Sequence, residues 1–334
     1  MPERFTAVIV GCGQIAGGYD SAMNDGGVRS HAGAYRRHPE IGVIACIDPN
    51  EGARKAFQEY WQIADGFDSL ETWAEVGGKA DIISVCSPTP RHFDDHQFIA
   101  ENAAALSVRA VFAEKPFTDT IDGSASLRDR YRRSEIAVAV NYLRRWYPEF
   151  QSLAYEIRNG GAGVLRRVVT CYNNGIVNSG SHLLDLLEFL IGPMTLKQVG
   201  RIGVDVSGPD PTVDCELITA DNCPVTIIGE SNRDFSLFEV RLITDRYVID
   251  IEDSGRTIRR REVAPGAYFP NTKELGPPDV RETTHRNAMS AAIENICRAL
   301  NDEEVLRSSI ETALPSEELA LRIRAQALGD AANV

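Results

Sequence analysis

The stretch FTAVIVGCGQIAGG, Phe5 to Gly18, decides the fold. Phe5 to Val10 is a short apolar run rich in β-branched residues and reads as a buried strand. Gly11-x-Gly13-x-x-Ala16 follows directly. In this pattern Gly11 permits a tight turn, Gly13 lets the backbone approach a pyrophosphate, and Ala16 keeps the next helix close to the sheet. With Gln14 and Ile15 opening that helix, its N-terminus offers N–H donors and a partial positive charge to an anion. The glycine pattern alone is weak. It gains weight from the strand before it, the helix after it and an acid at the end of a second strand.

That acid is Asp48, which ends IGVIACID, Ile41 to Asp48. A carboxylate there accepts hydrogen bonds from both ribose hydroxyls of NAD and repels the 2′-phosphate of NADP. The expectation is NAD, with NADP the weaker alternative. Asp48 lies 37 residues after Gly11, against a usual gap of ~20. GGYDSAMNDGGVRS, Gly17 to Ser30, accounts for the excess as an inserted loop rich in Gly, Asn, Asp and Ser. Its position beside the turn suggests a role in covering a cofactor or shaping access. HAGAYRRHP then resumes the helix.

Working outward, strand and helix alternate. DIISVCS (Asp81 to Ser87), VRAVFAEKP (Val108 to Pro116) and IAVAVNY (Ile136 to Tyr142) are further apolar strands, as in a parallel sheet covered on both faces. Ala53, Ala56, Phe57, Tyr60 and Trp61 form a helical stripe. Asp68 and Glu71 form a capping-box pattern before Trp73. The pattern changes after about Tyr147. PEFQSLAYEIRNG and GSHLLDLLEFLIG read as helices, and five strand-like stretches between LKQVGRIGVDV and YVIDIED suggest a mostly antiparallel sheet. Helices from about Glu282 and Pro315 close the chain.

The 334 residues are 43% hydrophobic and 25% charged, enough to bury a sizeable core. A formal charge of −13 argues against general binding to nucleic acid or anionic membrane. One local basic run, RTIRRRE (Arg256 to Glu262), reads as the solvated face of a strand or turn. No apolar run approaches a membrane span, and MPERFTAVIVGCG does not read as a signal peptide. Seven cysteines without a CxxC pair read as buried free thiols in a reducing cytoplasm. His92 and His96 have i, i+4 spacing, but no carboxylate or thiol cluster joins them, so no metal site is expected.

GCGQIA, CIDPN, SPTPRH, AEKPF and GSHLLDLL occur in the order seen in the glucose–fructose oxidoreductase / inositol dehydrogenase / MocA family, which the chain resembles over roughly residues 5 to 330. The resemblance implies an α/β protein with an N-terminal doubly wound Rossmann domain, residues 1–120, and a C-terminal α/β domain with an open, mostly antiparallel sheet, residues 121–334. It implies an oxidoreductase acting on hydroxyls of sugars, polyols or nucleotide sugars, working as a homodimer or homotetramer. Ser87, Pro88, Thr89 and His92 resemble the loop lining the nicotinamide. Glu114 and Lys115, of the EKP motif, resemble the catalytic corner. Asn141 and Arg145 resemble residues at the junction of cofactor and substrate. His182 resembles the catalytic histidine, and Asp185, one turn later, either orients it, contacts substrate, or is an exposed polar residue beside the leucine stripe.

The family commonly has an aspartate four residues before that histidine. Here Asn178 stands there. Asparagine accepts a hydrogen bond but brings no charge to support an imidazolium. The sequence thus leaves three functions open: a working NAD-dependent dehydrogenase, a catalytically impaired sugar sensor or regulator, and an NAD-dependent glycoside hydrolase.

Overall fold

The computed structural model describes residues 5–22, 26–203, 210–269 and 271–329. The chain divides into two compact units, Met1–Trp146 with Arg286–Leu314 and Tyr147–His285 with Pro315–Val334.

In the first unit β1 (Phe5–Val10), β2 (Ile41–Ile47), β3 (Asp65–Phe67), β4 (Ile82–Val85), β5 (Ala110–Ala113) and β6 (Ala137–Val140) form one parallel sheet in the order β3-β2-β1-β4-β5-β6. Their alternate side chains feed two cores. Val8, Ile83, Val111 and Val138 lie on one side, and Ala7, Ile9, Ile82 and Phe112 on the other. A strand buried on both faces has no polar face to show, which is why these runs are continuously apolar. Strand order reverses between β1 and β4, and open α/β sheets bind ligands outside the C-terminal strand ends at such a point.

Helix Ile121–Arg133 and β6 belong to this first unit, and β6 pairs with β5 from Ala110↔Ala137 to Ala113↔Val140. The chain therefore leaves the parallel sheet after β6, beyond the expected limit at residue 120. Helix Ala288–Leu300 returns to the same unit and buries Met289, Ile293 and Ile296 in its core. That helix starts six residues later than the sequence predicts, because Glu282 still belongs to a strand. The final helix, Ile310–Leu328, starts before Pro315 rather than at it. The cap before Trp73 is also displaced by one residue. Ser69 caps helix Leu70–Glu75 with Thr72 as its reciprocal partner, and Asp68 accepts from the Thr72 hydroxyl at 2.7 Å. In helix Glu51–Trp61 only Phe57 of the expected stripe is buried; Tyr60 is exposed.

The second unit holds β7 (Leu165–Tyr172), β8 (Met194–Gly203), β9 (Thr212–Thr219), β10 (Pro224–Gly229), β11 (Phe238–Thr244), β12 (Tyr247–Glu252), β13 (Thr257–Pro265) and β14 (Lys273–Glu282). Their order is β14-β13-β12-β11-β7-β10-β9-β8; β10 runs parallel to β7 and every other neighbouring pair is antiparallel. Val168, Thr170 and Tyr172 of β7 are buried while Arg167, Val169 and Cys171 are not, the alternation of a sheet packed on one face. The basic run lies on β13 and forms ion pairs within the unit. Arg260 meets both Glu156 oxygens at 2.6 and 2.8 Å, and Arg259 pairs with Glu252.

All seven cysteines are free. Burial and neighbouring carboxylates push the Cys215 and Cys297 thiols up to about 12. Among the described residues no helix is long and apolar enough to cross a membrane.

Candidate active site

The turn after β1 is built by close approach. Gly11 has φ +89°, and a Cβ there would lie 2.6 Å from the Cys86 carbonyl oxygen at the end of β4. An alanine would collide with a neighbouring strand as well as strain the backbone. Gly13 is exposed, and a Cβ there would meet no described atom within 4 Å. Gln14–Gly18 follows as a π-helical turn that buries Ala16 and Gly17, with Gln14 exposed and Ile15 half-buried. The Cys12 thiol is pushed well above its ordinary range, first by its hydrogen bond with Cys46 and then by burial. It therefore adds no negative charge where phosphates would bind.

Asp48 stands at the end of β2 against this turn. One carboxylate oxygen accepts from Cys12 N at 2.8 Å and the other from Asn50 N at 2.8 Å. Each oxygen keeps a lone pair, so the group can still accept two ribose hydroxyls. Asn50 caps the next helix, accepting from Ala53 N at 3.0 Å.

Past β4, Ser87 donates to Asp95 at 2.6 Å, Pro88 is exposed and Thr89 opens helix Thr89–Glu101. His92 is buried, with one ring nitrogen 2.7 Å from Ser87 O and the other 2.8 Å from Pro116 O. Both nitrogens therefore bind backbone, and the ring fastens the SPTPRH loop to the EKP loop. His96 turns its Nδ1 to Tyr131 OH at 2.8 Å.

Past β5, Lys115 is half-buried and follows Glu114, which is buried. The Glu114 carboxylate gathers donors: Asn141 Nδ2 at 2.5 Å, His31 Nε2 at 3.0 Å and Lys115 N at 3.4 Å. Burial pulls this carboxyl upward, but hydrogen bonding and electrostatic attraction from His31, the Asn141 amide and the Lys115 charge outweigh it. It lies below its ordinary value. Asn141 Oδ1 is buried and has no hydrogen-bond partner among the described residues, an acceptor left for a bound group. Arg145 donates to Thr312 O at 2.9 Å.

In the second unit His182 is half-buried on helix Ser181–Ile191, after the π-helical turn Gly175–Gly180. Asp210 accepts from Asn178 N at 2.8 Å and from Val177 N at 3.0 Å, and Thr212 accepts from Gly175 N at 2.9 Å. The Asn178 side chain is exposed, and its amide donates to Asn174 O at 3.3 Å. Asp185 is buried, with the Ser316 hydroxyl 3.5 Å away, so it is not an exposed residue beside the leucines. Neither His31 nor Asp210 was found by sequence reasoning. Each meets its partner across a long separation, 83 and 32 residues, and neither lies in a recognisable motif.

Of the residues expected at a dinucleotide site, the first unit brings Gly11, Gly13 and Asp48 together, and joins Glu114 to Asn141. His92 and Arg145 each bind backbone carbonyls. An open Gly13, an Asp48 with free lone pairs and an orphaned Asn141 oxygen fit a dinucleotide cofactor.

Comparison with known proteins agrees. A model of the oxidoreductase family with an NAD-binding Rossmann fold matches residues 5–142. The D-apiose dehydrogenase of Paraburkholderia graminis is 21% identical over 324 residues, covering 89% of this chain and 79% of that protein. Among solved structures, the Chromobacterium violaceum WlbA dehydrogenase in complex with NADH and UDP-GlcNAcA superposes with a TM-score of 0.76 at 17% identity, over 98% of this chain and 95% of that one. The transcriptional regulator Gal80p of Kluyveromyces lactis superposes at 0.72 with 15% identity, over 95% and 91%. At such identities the likeness of the solved structures extends to the fold alone. Over residues 5–142, then, the chain is similar to the oxidoreductase family of the glucose–fructose oxidoreductase / inositol dehydrogenase / MocA type, whose Rossmann fold binds NAD.

Proposed function

We propose that the protein transfers a hydride between NAD and a hydroxyl-bearing carbon of a sugar, polyol or nucleotide sugar. The observation that carries this is Lys115, placed after β5 on the same C-terminal side of the sheet as the glycine turn and Asp48. Substrates of relatives support the chemical class; D-apiose and D-glucoside dehydrogenases are among them.

Bound NAD would supply the hydride acceptor or donor, chemistry no side chain provides. Asp48 accepts the ribose hydroxyls and disfavours a 2′-phosphate, so NAD is preferred over NADP. Gly13 and the helix opened by Gln14 and Ile15 receive the pyrophosphate. Lys115 stabilises the negative charge that grows on the substrate oxygen and moves its proton. His182 is a second proton-handling group, with Asp185 buried one turn behind it to orient it. A carbonyl reduced in the reverse direction uses the same groups. The free thiols favour a reducing cytoplasm, and the one-sided eight-stranded sheet favours a homodimer or homotetramer.

Asn178 favours a second reading, a protein that binds NAD and a sugar-like ligand with little turnover. A screen of sugars, polyols and UDP-sugars, following nicotinamide absorbance with wild type and Lys115→Ala, separates the two. Turnover in wild type that is lost in the variant supports the dehydrogenase. Tight NADH binding with no turnover on any substrate supports the sensor.

A further inference from the structure

The inserted segment Gly17–Ser30 is tied down at its base. Asp20 accepts from Arg29 N and Ser30 N, each at 3.0 Å, and from the Ser30 hydroxyl at 2.6 Å. Ser30 in turn caps helix His31–Arg37, accepting from Gly33 N at 3.1 Å. Val28 is buried, and its N–H donates to Arg286 O at 3.3 Å. Residues 23–25 lie outside the described residues. The described part of the insertion is thus a clasp on the start of the following helix.

The first residue of that helix is His31, and its ring is fully buried. It packs on Phe112 with ring centroids 4.3 Å apart. Nδ1 lies 2.9 Å from the Ser84 hydroxyl, which also meets Tyr35 OH at 2.7 Å. Nε2 lies 3.0 Å from Glu114, the residue before Lys115. A carboxylate accepts only, so Nε2 donates here. The titratable groups around the ring are Tyr35 on its own helix, Cys86 after β4, and Glu114 and Lys115 after β5. Burial pushes the Tyr35 hydroxyl and the Cys86 thiol up, so both stay neutral. Among the described residues the charge in contact with the ring is that of Glu114.

A buried carboxylate with no further task is costly to retain, and an apolar pair of the same shape often serves stability as well. We propose that His31 is a positioning residue: through its hydrogen bond it holds the Glu114 carboxylate beside Lys115, and the clasp at Asp20 delivers it there. The negative charge so held keeps Lys115 protonated to higher pH, ready to face a developing oxyanion. This rests on the proposed role of Lys115.

The test is competitive labelling of the folded protein with acetic anhydride across pH, reading the peptide that carries Lys115 by mass spectrometry. Thermal melting and NADH titration serve as controls of folding. In Glu114→Gln the labelling midpoint of Lys115 is expected to fall by about one pH unit, the effect of losing one nearby opposite charge. In His31→Ala it falls in the same direction. His31→Gln, whose amide can donate from a similar position, restores most of it. The double variant His31→Ala/Glu114→Gln matches Glu114→Gln alone, since the histidine acts only through the carboxylate. A midpoint unchanged in His31→Ala while Glu114→Gln moves it overturns the proposal, as does a double variant whose effects add. Should His31→Ala not fold, Ser84→Ala replaces it by releasing Nδ1 alone; a smaller fall supports the proposal and no fall overturns it. Labelling does not require turnover. If Lys115→Ala keeps full activity, the catalytic role of Lys115 fails while its coupling to His31 is still decided.

Discussion

Two carboxylates organise the two corners proposed for proton transfer, and they do it differently. Glu114 lies in the core of the first unit, takes side-chain donors from His31 and Asn141, and directly precedes Lys115. Asp210 sits in a half-exposed loop of the second unit and takes backbone donors from Val177 and Asn178, five and four residues before His182. The first arrangement places negative charge next to Lys115. The second holds the main chain before His182, and Asn178 adds an exposed neutral amide. The contrast is therefore between a buried charge next to the lysine and a main-chain hold before the histidine.

Lys115→Ala tests this contrast most severely. Turnover should fall by roughly 10²–10⁴-fold while NADH affinity changes little, and His182→Ala should lose less. Equal losses in steady-state assays would break the comparison. Glu114→Gln should cost about 1–3 kcal/mol at pH 7 by chemical denaturation, the worth of charged buried hydrogen bonds. The Glu114 carboxyl is depressed in the folded protein. Its stabilisation is therefore complete above the unfolded value of about 4.3 and disappears as pH falls through the lower folded value. Wild type should lose stability more steeply than the variant in that acid window, and parallel curves would contradict the placement. Asp210→Ala should cost less, about 1–2 kcal/mol, and should raise hydrogen exchange at Val177 and Asn178. Asn178→Asp should have the smallest effect, a severalfold rise in turnover without loss of stability. No change in turnover would show that a negative charge at this position does not assist His182.

The first unit was largely legible because its strands are buried on both faces and show it as unbroken apolar runs. FTAVIV and AVFA need no tertiary information to be read. What escaped was short or paired at a sheet edge. β3 is the three residues DGF. β14, KELGPPDVRE, carries Pro277 and Pro278 in a strand at the end of the sheet order. Proline is tolerated there because one side needs no ladder hydrogen bond, but it removes the strand signal and made Glu282 look like a helix start. At the site, the residues lying in local motifs could be named: Gly11, Asp48, Lys115 and His182. Their supports could not. His31 and Asp210 are ordinary residues until the fold brings them to Glu114 and to the turn before His182. Spacing likewise cannot distinguish a ring that lines a pocket from one like His92, which joins two loops.

The most direct measurement of the central claim, a NAD site read by Asp48 with Lys115 at the same end of the sheet, is calorimetric titration of wild type and Asp48→Ala with NADH and NADPH. Wild type should bind NADH with clear preference, and Asp48→Ala should lose that preference through weaker NADH binding and easier acceptance of NADPH. Equal affinity of wild type for the two nucleotides, or a preference unchanged by the substitution, would contradict the role given to Asp48 and the site built around it.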